Sequence, residues 1–340
     1  MVLEHLFPES WLEKKFGFAF VLGAFYSLVG IFVARLLFGA NSGITSVIFT
    51  SLLLIPSLRK LFVREEKREE KEKRFSLREL YRDNAHLIKT YVGIFIGVFF
   101  MYYLLSYLAM VFGWNIMSIF REQIFLDPAI SGRASFMSGM FWSILANNWW
   151  VLLACFLLSL ISGDGATFFV VWNASAWAVI FAIRGVAAAG TLQVNPLGTA
   201  LLMLLIALPH ILLEGGAYVL AGIADAVISD DVVSRAKELR RFIPVFLILV
   251  AVFLLLDKLL QFFLAGAGLS VLRILVVMGL LFVLKFAFDD KKHKEVFIYN
   301  YWLFVIALGV FIIGAIVETA VLSNSMTLNH LYDAATLFFL

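Results

Sequence analysis

Apolar runs of about twenty residues recur along this chain, separated by short charged segments, and they constrain its fold more than any motif does. They cover 16–39, 43–58, 87–113, 136–161, 166–189, 199–223, 243–264, 269–288 and 297–322. A helix rises about 1.5 Å per residue, so most of these runs match the ~30 Å hydrocarbon core of a bilayer with some tilt. They must be helices, because an isolated strand cannot pair its backbone in lipid. Composition agrees. Hydrophobic residues make up 62% of the 340 residues and charged residues 15%, against about 45–50% and about 25% in a soluble domain. Mean hydropathy is +0.96. A soluble enzyme, a disordered regulator and a disulfide-stapled secreted domain are excluded. The expected fold is all-α: a polytopic transmembrane helix bundle of about nine spans in the cell membrane.

The charged segments orient the bundle. Residues 59–89 hold eleven Lys/Arg and seven Asp/Glu. Residues 224–241 hold Arg235, Lys237, Arg240 and Arg241, and 285–294 hold Lys285, Lys291, Lys292 and Lys294. With nine spans all three segments share one side with Lys14 and Lys15, which places the N-terminus in the cytoplasm and the C-terminus outside. The short second run carries Pro56; if it is re-entrant, everything after it inverts. The chain then reads as one membrane domain, 1–340. It comprises an N-terminal hairpin (16–58), a charged cytoplasmic segment (59–86), a core bearing polar motifs (87–223), a cytoplasmic amphipathic segment (224–241) and a three-span extension (242–340). Acidic Glu4, Glu9 and Glu13 and the long apolar run after them argue against a signal peptide at 1–15.

Three regions are not spans. The run 64–74 (REEKREEKEKR) has opposite charges at i,i+3 and i,i+4, the pattern of a solvated helix. Residues 114–133 interleave Trp114, Ile116, Ile119, Phe120 and Phe125 with polar residues, which suits a segment lying flat at the interface. The tail 323–340 ends in an apolar stretch that should pack back on membrane or protein. The net charge of +3 gives no reason to expect nucleic acid, and one cysteine, Cys155, makes neither an intrachain disulfide nor a structural zinc site.

Polar groups at membrane depth need a partner, water or a function. Arg35, Arg184 and Lys285 can snorkel to the interface. Asp257, Lys258 and Gln261 suit polar contacts between helices, with Lys258 and Gln261 paired at i,i+3. Arg273 and Glu318 lie inside apolar runs and could pair with each other. Asn147 and Asn148 (SILANNWW), Asn173 (FFVVWNASAW), His210 and Glu214 (ALPHILLEGGAYVLAG) fall on three successive spans. His210 and Glu214 are spaced i,i+4 and share a helix face. Pro209 removes a backbone donor, and Gly215 and Gly216 permit a bend or a close approach, so a helix break is expected there. These five polar residues are the candidate site: an intramembrane cluster, as against hydrogen-bonded packing between helices. Whether it binds a metal or a proton is open in the sequence.

The paired Asn147–Asn148, the Asn173 opening a small-residue helix, and Pro209-His210-x-x-x-Glu214-x-x-Ala217 running into Ala221-Gly222 resemble the stage II sporulation protein M family. The resemblance covers about 136–222. Ile211 and Gly215–Gly216 stand where that family usually has glycine and proline. It implies an integral membrane protein, in sporulating members a partner of a peptidoglycan-degrading complex.

Three functions follow as expectations. The first is a non-enzymatic scaffold or assembly component with a membrane or cytoplasmic protein partner. Small-residue faces (Ala174, Ala178, Ala182; Gly23, Ser27; Ala217, Ala221) serve intrachain packing or a homo-oligomer. The second is a transporter or lipid-translocating protein with a polar midplane site, where Glu214 binds a proton or cation beside His210. The third, a membrane-embedded metal-dependent hydrolase, is weakest: His210 and Glu214 supply two ligands where a catalytic zinc needs three. No phosphate loop, nucleophile elbow or haem-attachment motif is present. No cofactor and no catalytic residue is expected.

Overall fold

The structure, a computed structural model, describes residues 16–39, 42–69, 77–125, 141–142, 144–146, 148–154, 165–233, 236–264, 266–288 and 291–339. Asn147, Cys155, the 162–164 turn and 126–133 of the amphipathic segment lie outside them. Every described element is helical. In chain order these are α1 (Phe16–Phe38), α2 (Ser42–Glu69), α3 (Leu77–Val111), α4 (Ile116–Phe125), α5 (Ile144–Ala154), α6 (Gly165–Leu192), α7 (Pro196–Val233), α8 (Ala236–Phe263), α9 (Gly266–Val283), α10 (Lys291–Asn324) and α11 (Met326–Phe339). A 3-10 turn, Leu284–Ala287, closes α9.

Among the described residues seven helices, α1, α3 and α6 to α10, are long and apolar enough to cross a membrane. Two of the nine expected runs form shorter apolar helices, Ser42–Leu58 within α2 and Ile144–Ala154. Large apolar side chains such as Phe32, Leu36, Leu255 and Phe262 stand exposed. On a soluble protein such a surface would be a liability; lipid is its natural environment.

α6 is the axis of the bundle: 61% of its most apolar stretch is buried, against 0% for α8, which lies at the periphery. The reason is in the side chains. Ala174, Ala178 and Ala182 are all fully buried, so this small-residue face is spent on neighbours within the chain. Ala217 and Ala221 of α7 and Ser27 of α1 are buried in the same way. α6 and α7 form an antiparallel hairpin, seen in the contacts Trp177–Tyr218, Phe181–His210 and Gly185–Ala200. Its turn needs a left-handed residue, and Gln193 supplies it at φ 55°. α1 and α3 meet where Gly23 lies on Ile94, Gly93 on Ala19 and Gly97 on the Phe20 carbonyl.

Several expectations change at this level. α2 continues through Pro56 into the charged run as far as Glu69, so hairpin and stalk are one helix. The described part of the 114–133 segment, as far as 125, packs on the bundle with one face. α4 buries Phe120 and Gln123 against the bundle. Gln123 Nε2 donates to the Gly43 carbonyl (3.1 Å) and Ser42 Oγ to the Ile119 carbonyl (3.3 Å), which anchors α4 on the start of α2. Arg184 packs over the Tyr332 ring of α11 at 4.9 Å. α11 buries Leu328, Leu331, Ala334 and Ala335, and Thr191 Oγ1 of α6 donates to its Ala334 carbonyl (2.8 Å). The 328–335 part of the tail thus packs back on protein, while Leu337 is exposed and the side chains after it lie outside the described ones.

Candidate functional site

Helix α7 carries the site. It is continuous from Pro196 to Val233, so the break expected at Pro209, Gly215 and Gly216 is absent. Pro209 faces outward. The missing donor is tolerated because the rest of the turn keeps its bonds, as membrane helices often allow. Gly215 is used for close approach: a Cβ there would stand 2.9 Å from the Phe95 ring of α3. Gly216 has open space beside it.

Glu214 is buried, with 2% of its surface exposed. Asn148 of α5 donates from Nδ2 to Glu214 Oε1 at 3.0 Å. A second carboxyl, Glu318 of α10, is the acidic neighbour of Glu214, close enough to interact with it. Gly314, one turn before Glu318, makes this reach available. A Cβ on Gly314 would lie 3.0 Å from Glu214 Cγ and 3.3 Å from Leu213 Cβ, a tight fit that glycine leaves open between α10 and α7. The polar groups on Glu214 are therefore an amide and another carboxyl, with no cation among them. A carboxylate only accepts hydrogen bonds, so a carboxyl–carboxyl bond requires a proton on one partner.

The other expected members sit differently. His210 is buried, 5% exposed, with its ring 6.3 Å from that of Phe181 on α6. Its Nδ1 has no hydrogen-bond partner among the described residues. Asn173 donates from Nδ2 to the Phe169 carbonyl of its own helix (2.8 Å), so this donor serves neither the cluster nor a bond between helices. Asn147 lies outside the described residues. The structure thus joins Asn148 to Glu214, keeps His210 one turn away, and leaves the Asn173 donor on α6.

Glu318 is the member that sequence reasoning misplaced. The pairing of Arg273 with Glu318 does not form. Arg273 pairs across the α8–α9 hairpin with Asp257, with Nε–Oδ1 at 2.5 Å and Nη2–Oδ2 at 3.3 Å. Gln261 Nε2 donates to the same carboxylate at 2.6 Å, so its partner is Asp257 at i,i+4 and not Lys258. Asp257 and Arg273 meet within one hairpin, where two charges of opposite sign offset each other. The available signal for Glu318 was Gly314, which is four residues earlier on the same helix face. Among the described residues, no three His, Cys, Asp or Glu side chains stand together as a metal would require. No family model, no curated protein and no solved structure matches the chain.

Proposed function

We propose that this chain is a transport component of the cell membrane, of the stage II sporulation protein M type, and that Asn148, Glu214 and Glu318 form its working site. The observation that carries this reading is the buried carboxyl pair, Glu214 with Glu318, closed over by Asn148. Two acidic groups held together inside an apolar bundle cost stability, and helix packing alone has no need of them. Midplane polar sites between packed helices are where transporters bind what they move. In this reading all nine apolar helices cross, with the N-terminus inside and the C-terminus outside. The test is reconstitution in liposomes. Wild-type protein should move an ion, solute or lipid, and Glu214→Gln should abolish the movement while leaving the protein folded. A protein that moves nothing across a broad panel would end this reading.

A scaffold role is the second reading. It is favoured by α8, none of whose most apolar stretch is buried within the chain, leaving a full helix face for lipid or a protein partner. Native mass spectrometry of gently extracted protein should then recover a stoichiometric protein partner; recovery of the chain with lipid alone counts against it.

A further inference from the structure

We infer that the species taken by this site is a proton, held between Glu214 and Glu318 and exchanged with water through His210; the inference rests on the transport reading above. Glu214 is buried, and α10 packs against it one turn before Glu318; two carboxylates this close in an apolar interior repel, and a bond between carboxyls needs a proton on one of them, so the pair keeps at least one proton in this proposal. Asn148 gives its N–H to Glu214 Oε1, which makes that oxygen an acceptor. The exchangeable proton therefore belongs to the other oxygen of Glu214 or to Glu318. Taking it away leaves two anions side by side in a low-dielectric interior, a state that needs a change of packing or a replacement charge.

Among the described residues no basic side chain is placed against the pair; Arg184 of α6 packs over Tyr332 instead. On α7 itself His210 and Tyr218 are four residues to either side of Glu214. α3 brings Phe95 to this stretch, and α6 brings Phe181 and Trp177, none of which titrates. The Ser42–Leu58 part of α2 contains no ionisable residue. The charges of α8 and α9 at membrane depth, Asp257 and Arg273, are engaged with each other. On α11, His330 and Asp333 are exposed.

A metal cation fits less well than a proton. Calcium and magnesium take about six to eight and six oxygens respectively, and here two carboxyls and an amide are assembled. His210 is the independent observation that points to a mobile proton. Its Nδ1 is buried and has no hydrogen-bond partner among the described residues. On a helix, residues four apart stand about 6 Å between Cβ atoms, so one intervening water or a rotamer change links imidazole and carboxyl. Imidazole both accepts and releases a proton, which makes it the natural next station.

The experiment is infrared difference spectroscopy on the full chain in lipid nanodiscs, stepped from acid to alkaline pH in H2O and in D2O. The expected result is a protonated-carboxyl C=O band that shifts in D2O, disappears at alkaline pH, and is lost in both Glu214→Gln and Glu318→Gln. His210→Gln should keep the band and slow its response to a pH jump. A band that never titrates would make the pair a permanent structural acid and overturn the inference. Absence of the band at every pH, with sodium altering the carboxylate bands instead, would overturn it in favour of a metal cation. Should Glu214→Gln fail to fold, Glu318→Gln and the wild-type D2O shift still decide. Liposome assays on the same preparations separate the two levels. Transport without a titrating band sinks the proton and spares transport; a titrating band without transport does the reverse.

Discussion

Asn148 and Asn173 are the same residue type on neighbouring helices, yet they spend their amides differently. Asn148 donates across the bundle to Glu214, and Asn173 donates to its own helix. Their substitutions should therefore separate. Asn148→Leu removes an interhelical bond and leaves a buried carboxyl oxygen short of a donor. It should lower stability by about 0.6–1.7 kcal/mol, the range for interhelical bonds in membranes, read as thermal unfolding in detergent. Asn173→Ala should stay within about 0.5 kcal/mol of wild type, as a substitution that breaks no tertiary bond does. Glycines show the same dependence on place. Gly314→Ala presses on Glu214 Cγ and should both destabilise the chain and disturb the carboxyl pair, whereas Gly216→Ala meets open space and should be neutral or slightly stabilising. Equal effects of these two substitutions on melting temperature would contradict this packing.

At the scale of elements, the α6–α7 turn and the α8–α9 hairpin carry separate predictions. Gln193 holds a left-handed backbone (φ 55°), which costs a residue with a Cβ about 1–2 kcal/mol. Its side chain recovers part of this by donating to the Gly190 carbonyl at 2.6 Å. Gln193→Gly should leave stability unchanged or raise it by up to about 1 kcal/mol; a marked loss would mean that the side-chain bond outweighs the strain. On the hairpin, Asp257→Ala leaves Arg273 without its counter-charge at membrane depth and should lower the melting temperature. Asp257→Leu combined with Arg273→Leu should recover most of it, because an apolar pair suits lipid better than one orphaned ion. Failure of the double variant to exceed the single one would show that the pair fixes the hairpin geometry and does not merely neutralise charge.

The whole molecule is a bundle around α6, with α8 outermost and α10 brought back onto α7. The three-span extension expected at 242–340 is thus not an appendage: its last long helix supplies Glu318 to the site in the 87–223 core. The nine-crossing arrangement proposed above makes a definite prediction for a chain whose Cys155 is replaced by serine. Single cysteines placed at Ser10, Ser76 and Lys291 should react with an impermeant reagent from one side of the membrane, and one at Ser325 from the other. Ser76 reacting from the side opposite to Ser10 and Lys291 would show that both short helices, Ser42–Leu58 and Ile144–Ala154, fail to cross. Ser76 and Lys291 together opposite to Ser10 would single out the first of them.

The sequence alone determined that the chain is a helical membrane bundle. Length and apolarity of a run fix whether a helix can span, and both are local properties of the chain. It also marked Asn148, His210 and Glu214 as polar groups at depth, because a polar residue inside an apolar run is visible one residue at a time. What it could not supply was lateral partnership. Which faces of two helices meet depends on their rotation and crossing, and these follow from small residues fitting against particular neighbours across the bundle. Gly314 against Glu214 is one such fit, and it brings α10 with Glu318 onto α7; the pairing of Arg273 with Asp257 is set separately within the α8–α9 hairpin. In the packed bundle α7 runs unbroken through Pro209, and Asn173 bonds to its own helix. Depth is written in the order of residues; the pairing of carboxyls at that depth is set only once the helices have packed.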